Sequence, residues 1–352
     1  MAIKHISAGE SESFCAKVME KSGLTPDDAA LWGKLMTETS LLGFDTHGIR
    51  QVERYADFLI GGGGSNKKPE IVKENGASVL INANACMGHI SAWKAAEIAV
   101  ENAKKYGIAI TNVINGNHVG ACALYTKALA EKNCIGICCT VARPGIAPWG
   151  GIKPTVGINP LSICAPIEDG SFFLLDMTTS VTAMGKVITA MDNDQKIPLG
   201  WALDKNGKPT TEPKEAWVGS LLPIGGYKGY GLALAIEILC SALSGGSFSE
   251  DILGWIKQTK EATNTPFMII AIDIEQFQHP DVFKSRVKEW LATVIDVPKQ
   301  EGVDRIYFPG EIECENYKTR SKTGIPLEDV TVESFKRVAQ KFSLSEPQYF
   351  ER

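Results

Sequence analysis

The chain has 352 residues, 44% of them apolar and 22% charged, which is enough for a large core or two to three lobes and argues against disorder. Its 36 basic and 41 acidic residues leave a formal charge of −5, and no basic stripe is dense enough to neutralise a phosphate backbone, so nucleic acid is disfavoured as a partner. The opening MAIKHISAGESESF has no apolar run of signal-peptide type, and no stretch approaches the ~20 apolar residues of a membrane span. A soluble, cytoplasmic protein without a membrane partner is expected.

The first ~60 residues read as helices. One covers Glu10 to Ser22; a second opens at Thr25-Pro26-Asp27-Asp28, a cap followed by a first-turn proline and an acidic first turn. A third carries Val52, Tyr55, Ala56 and Leu59 as its apolar stripe and stops at Gly61 to Gly64. From Ser78 the pattern becomes SVLINA, GHISAWKAAEIAVENAKKYG, IAITNVI, GACALYTKALAEKN and CIGICCTVA, a βαβαβ series that predicts parallel strands. Strand-like LSICAP, SFFLLDM and PFMIIAIDI follow, with helices near Val181 to Ala190, over GLALAIEILCSALSGG, and from Val282 to Val294; the last ~40 residues return to helix. The expected organisation is a helical segment 1–70 packed with 310–352 as one discontinuous lobe, around an α/β core 71–309 of one or two lobes.

The nine cysteines form neither a CxxC pair nor a metal-type cluster and read as reduced core residues; Cys134, Cys138 and Cys139 lie in one apolar run. The five histidines show no metal-ligand spacing, so no metal is expected. The glycine fingerprint of a dinucleotide-binding Rossmann turn is also missing. Gly226-Tyr227-Lys228-Gly229-Tyr230-Gly231 has the wrong spacing for it, yet glycines and a lysine at the start of a helix suit a phosphate. A plain helix-capping turn is the alternative.

His47, in Phe44-Asp45-Thr46-His47-Gly48, and His118, in Asn115-Gly116-Asn117-His118-Val119-Gly120, both fall in loops, the second just after a strand where ligands of α/β sheets gather. Hydride transfer to or from the C2 carbon of a hydroxy acid needs a group to exchange the hydroxyl proton, a cation for the carboxylate, and a dry pocket. Histidine suits the first need. Arg50 and Arg54, nearly opposite the apolar stripe of their helix, are candidates for the second, with solvent-facing arginines as the alternative. Asp176, at the end of FFLLD, is placed to orient an imidazole or bind a ribose hydroxyl, or simply to cap the segment that follows.

Together these residues resemble the malate/L-lactate dehydrogenase family, which also holds ureidoglycolate, sulfolactate and diketogulonate enzymes and a cyclic ketimine reductase. The resemblance spans nearly the whole chain. It rests on seven ordered landmarks: Gly43 to Gly48, Gly116 to Gly120, Pro148-Trp149-Gly150-Gly151, Gly157-Ile158-Asn159-Pro160, Leu175 to Thr179, Leu222-Pro223 with Gly226 to Gly231, and Phe308-Pro309-Gly310-Glu311.

What the resemblance implies is a homodimer with a non-Rossmann NAD(P)-binding fold of the sulfolactate/malate dehydrogenase type, with helical N- and C-terminal segments. It implies NAD or NADP as cofactor, contacted by Asp176, Met177, Thr178, Asn159, Tyr227, Lys228, Pro309, Gly310 and Glu311. His118 and His47 match the family's two proton-transfer candidates, with His118 favoured as donor and Asp176 beside them. Thr46, Arg50 and Arg54 fall to a small carboxylate substrate. The expected reaction is interconversion of a 2-oxo acid and its 2-hydroxy acid, with reduction of a cyclic imino acid or ligand binding without turnover as alternatives. One position departs from the common family pattern, which has arginine four residues after the first histidine: here Gln51 stands there, and Arg50 lies one earlier.

Overall fold

The computed structural model describes residues 3–255 and 260–351. Its centre is a seven-stranded sheet in the order Glu70–Asn75, Ser78–Asn82, Ile108–Gly116, Thr265–Asp273, Cys134–Thr140, Leu161–Pro166, Phe172–Met177. Only Ser78–Asn82 and Ile108–Gly116 pair in parallel. The parallel sheet expected from the βαβαβ series is therefore corrected to a mixed one. Strands Ile108–Gly116 and Cys134–Thr140 do run the same way, as a helical crossover requires, but Thr265–Asp273 slots between them antiparallel to both. That insertion comes from a strand more than a hundred residues downstream, which local pattern cannot reveal. The edge strand Glu70–Asn75, exposed along its whole length, was also missed because its EIVKEN sequence buries nothing.

Helices Gly88–Tyr106 and Ala123–Glu131 pack on the sheet, as the i, i+3, i+4 apolar spacing of both segments demands. The two N-terminal helices, Ala8–Ser22 and Pro26–Leu41, pack on each other; the second starts as read, with the Thr25 hydroxyl accepting from the Asp28 amide at 3.3 Å. It buries Trp32, Leu35 and Met36 completely, each worth about 1.5–3 kcal/mol of transfer from water. Chain ends meet in a three-stranded sheet, with Lys4–Ile6 between Ile325–Leu327 and Tyr349–Glu351.

A five-stranded sheet of two- and three-residue strands, from Pro144–Ile146 to Ser220–Leu221, surrounds a small core of its own made of Val187, Ile197, Ala202, Ala216 and Leu221. Such short strands carry no legible alternation. All nine cysteines are buried free thiols. No helix among the described residues is long and apolar enough to cross a membrane.

Candidate active site

His47 sits in the short turn Asp45–His47 that joins helix Pro26–Leu41 to helix Val52–Ile60. Arg320 ties that turn to the C-terminal segment, donating to Asp45 Oδ1 at 2.6 Å and to the Ser40 carbonyl. The Thr46 hydroxyl lies 3.0 Å from His47 Nδ1. Burial of the ring lowers the His47 pKa from its ordinary 6.5.

His118 follows strand Ile108–Gly116. Its loop is pinned by Asn117, whose buried amide donates to the carbonyls of Gly63, Ala85 and Cys86 and accepts from the Thr263 amide at 2.8 Å. Gly88 lies so close beneath that any side chain there would strike the carbonyls of Asn117 and His118. The two histidines face one another, ring centroids 5.9 Å apart and planes 23° from parallel. One small molecule can touch both.

Two residues that sequence reasoning did not assign to the site complete its wall. Tyr55, read only as part of an apolar stripe, is buried and places its hydroxyl 2.6 Å from His118 Nδ1. Burial raises the phenol well above 10, so it stays protonated. A hydroxyl both donates and accepts, so this bond survives whether or not Nδ1 carries a proton, and it leaves Nε2 for a ligand. Trp255 stacks on both Tyr55 and His118. Tyr55 carried no signal beyond its place in the apolar stripe, and nothing in the sequence marked Trp255. His118 is held well below 6.5, first by desolvation and then by His47 and His89 nearby. It is therefore neutral at pH 7.

The arginines separate. Arg50 points to the C-terminal segment and pairs with Glu328 at 2.7 Å, so it is not free as the carboxylate partner in this conformation. Gln51 is buried, donating from Nε2 to the Thr46 carbonyl at 2.7 Å and accepting from Arg54 Nη1 at 3.1 Å. Gln51 thus links the His47 turn to the Arg54 guanidinium, an exposed cation for which no carboxylate partner is found among the described residues.

Asp176 is the penultimate residue of strand Phe172–Met177, and its Oδ2 accepts from the Ala123 amide at 2.9 Å. It caps a helix, but the one that follows the His118 loop and not the segment after itself. Burial pushes its carboxyl up to about 7 against the pull of the Ala123 N–H, with Glu313 adding to the rise. Pro309-Gly310-Glu311 lies along the same strand: the Leu174 amide donates to the Pro309 carbonyl at 2.9 Å, and Glu311 accepts from Phe308 N and pairs with Arg305. Gly310, at φ +96°, presses on Leu174 and Phe172 where a Cβ would collide with backbone.

Met177 and Thr178 continue from Asp176, the Thr178 hydroxyl 3.0 Å from that of Ser180. Tyr227 and Lys228 begin helix Tyr227–Glu237 after a turn in which Gly225 and Gly226 both have positive φ. No side chain caps that helix, both residues are exposed, and Lys228 has no carboxylate partner among the described residues. Asn159 lies beneath this surface: fully buried, it donates to the Ala233 carbonyl and Glu237 and accepts from the Ala142 amide, so its side chain is spent on holding the helix.

The malate/L-lactate dehydrogenase family model matches residues 6–336. The chain belongs to this family. It is 34% identical over 340 residues to a malate/(S)-sulfolactate dehydrogenase of Methanothermus fervidus, covering 96% of this chain and 98% of the relative. A ureidoglycolate dehydrogenase (NAD(+)) of Escherichia coli O157:H7 is 30% identical over 311 residues, 88% of each chain. The malate dehydrogenase structure from Entamoeba histolytica superimposes with a TM-score of 0.94 at 30% identity, covering 98% of this chain and all of that one. The fold is therefore that of the malate and sulfolactate dehydrogenases, and the family of dehydrogenases makes this chain an oxidoreductase acting on a small molecule.

Proposed function

We propose that this family member interconverts a small 2-hydroxy acid and its 2-oxo acid with NAD or NADP, and that His118 Nε2 is the proton-exchanging atom. The observation that carries the reading is the Tyr55–His118 contact, which holds the imidazole through Nδ1 and leaves Nε2 for a ligand, with the His47 ring stacked 5.9 Å away.

The residues present fit a nicotinamide dinucleotide. The uncapped helix start and unpaired Lys228 suit its phosphates, and Asp176 suits a ribose diol. Met177, Thr178, Tyr227, Pro309 and Glu311 complete the proposed cofactor contacts. A bound nicotinamide ring supplies the hydride acceptor for oxidation and the donor for reduction.

In oxidation the neutral His118 takes the substrate hydroxyl proton at Nε2 as the C2 hydride departs, while Nδ1–H donates to the Tyr55 oxygen. In reduction the imidazolium returns that proton to the developing alkoxide. His47, steadied by Thr46, polarises the C2 oxygen. Arg54 binds the substrate carboxylate, a role better supported for it than for Arg50, whose guanidinium is engaged by Glu328. Trp255 and Tyr55 keep the reacting atoms dry.

A homodimer is supported by the apolar face that the helix over Tyr227–Glu237 and its continuation leaves to solvent, with Leu234, Ile238, Leu239 and Leu243 exposed. Nine free thiols suit a reducing compartment such as the cytoplasm. The test of function is loss of 340 nm absorbance when the protein is mixed with NADH or NADPH and a panel of 2-oxo acids and cyclic imino acids. Turnover of a 2-oxo acid supports the reading; turnover of imino acids alone, or of nothing, contradicts it.

A further inference from the structure

Trp255 belongs to none of the sequence landmarks, and it lies in a loop far from either histidine in the chain. Its indole ring nonetheless lies against both Tyr55 and His118. It stacks on Tyr55 with centroids 4.4 Å apart and planes within 11°, and on His118 at 4.7 Å and 23°. Tyr55 and His118 are themselves within 28° of parallel. One flat face thus spans the hydroxyl-to-imidazole contact, and both bonded groups would have to leave that face to rotate.

The loop that carries Trp255 is fastened on the same side as His118. The Leu253 amide donates to the Thr263 carbonyl at 3.1 Å, and the Thr263 amide donates to the Asn117 side chain, next to His118. The other titratable groups that face His118 are Tyr55 from helix Val52–Ile60 and His47 from the turn before it, with His89 of helix Gly88–Tyr106 behind Tyr55. Tyr55 is neutral at any working pH. His47 and His89 are both held below the ordinary histidine value, so neither carries charge near pH 7.

We propose that Trp255 is a positioning residue for His118: its indole clamps the imidazole plane against Tyr55 and closes that face of the ring to water. This rests on the reading of His118 as the proton-exchanging group. Two effects of an indole on an imidazole oppose each other. Stacking on the ring face favours the imidazolium through cation–π attraction, whereas excluding water favours the neutral ring. The indole covers a ring that burial already holds low, so we assign the larger effect to exclusion of water. Opening this wall therefore moves the His118 titration upward, and a wall of similar shape leaves it in place.

The experiment follows the His118 ring signal by NMR against pH in the full-length protein with isotope-labelled histidine, using His118→Asn to assign the signal. Wild type and Trp255→Phe are expected to titrate together, well below 6.5. Trp255→Ala is expected to titrate about one unit higher, with kcat about tenfold lower and KM for the oxo acid within about twofold. Trp255→Gln, polar and without a flat apolar face, is expected to show the same upward shift, and serves if the alanine variant does not fold. Unchanged or lowered titration in a folded Ala or Gln variant overturns the proposal. If instead His118→Asn turns over at the wild-type rate, the proton-exchange reading fails while the titration still decides the role of Trp255.

Discussion

The Tyr55 hydroxyl and His118 Nδ1 stand 2.6 Å apart although 63 residues separate them in the chain. Helix Val52–Ile60 delivers the tyrosine and the end of strand Ile108–Gly116 delivers the histidine. With the phenol buried and permanently protonated, the contact sets the ring orientation and adds no charge. Tyr55→Phe keeps the packing and removes only the hydroxyl. A neutral hydrogen bond is worth about 1 kcal/mol, so kcat is expected to fall about fivefold to tenfold with cofactor affinity unchanged. Steady-state kinetics and calorimetry on the same preparation check this; a cofactor Kd that weakens in step with kcat contradicts it.

Asp176 gives a pH prediction for the cofactor. Its carboxyl is raised to about 7 by burial. Above that pH it is ionised and accepts from ribose hydroxyls; below it the group is protonated and loses acceptor capacity. Calorimetric Kd values for the preferred dinucleotide should therefore weaken as pH falls from 8 to 6. Asp176→Asn should bind more weakly at pH 8 and lose that slope. A wild-type Kd that stays flat across the range removes Asp176 from cofactor binding.

His89 gives a stability prediction. Its ring is wholly buried, edge-on to Trp32 and Tyr55, with no hydrogen-bond partner for either nitrogen among the described residues. Desolvation takes it from 6.5 to about 3. The unfolded chain therefore binds a proton between those values that the folded chain refuses, and stability is lost as the pH falls through that window. The slope attributable to this one group approaches about 1.4 kcal/mol per pH unit. His89→Phe fits the same apolar slot with no nitrogen to satisfy. Denaturant unfolding should show it at least as stable as wild type at pH 7 and progressively more so towards pH 4. Parallel pH dependences for the two proteins contradict the assignment.

Much of this arrangement was legible from local chemistry. Thr25 announced its helix because a hydroxyl before Pro26-Asp27-Asp28 satisfies a free helix amide. His118 was singled out because it follows a strand. What local pattern could not supply was long-range pairing: Thr265–Asp273 between two strands joined by their own helix, and Trp255 against His118. Which arginine is engaged elsewhere was hidden for a related reason. A helical wheel places Arg50 and Arg54 on one side, but only the fold brings Glu328 to Arg50 and turns Gln51 towards Arg54. Asn159 was read as a cofactor contact because it sits in a landmark; its buried side chain braces the helix that begins at Tyr227.

The central claim is that His118 exchanges the proton, and His118→Asn tests it most directly. Asparagine keeps a polar side chain in the loop without a titrating nitrogen. With the 2-oxo acid turned over fastest by wild type, kcat in the variant should fall by about 10²–10⁴-fold, while the dinucleotide Kd stays within about twofold of wild type. A variant that retains the wild-type kcat, or that loses cofactor affinity as fully as it loses rate, would show that His118 is a structural histidine and contradict the account.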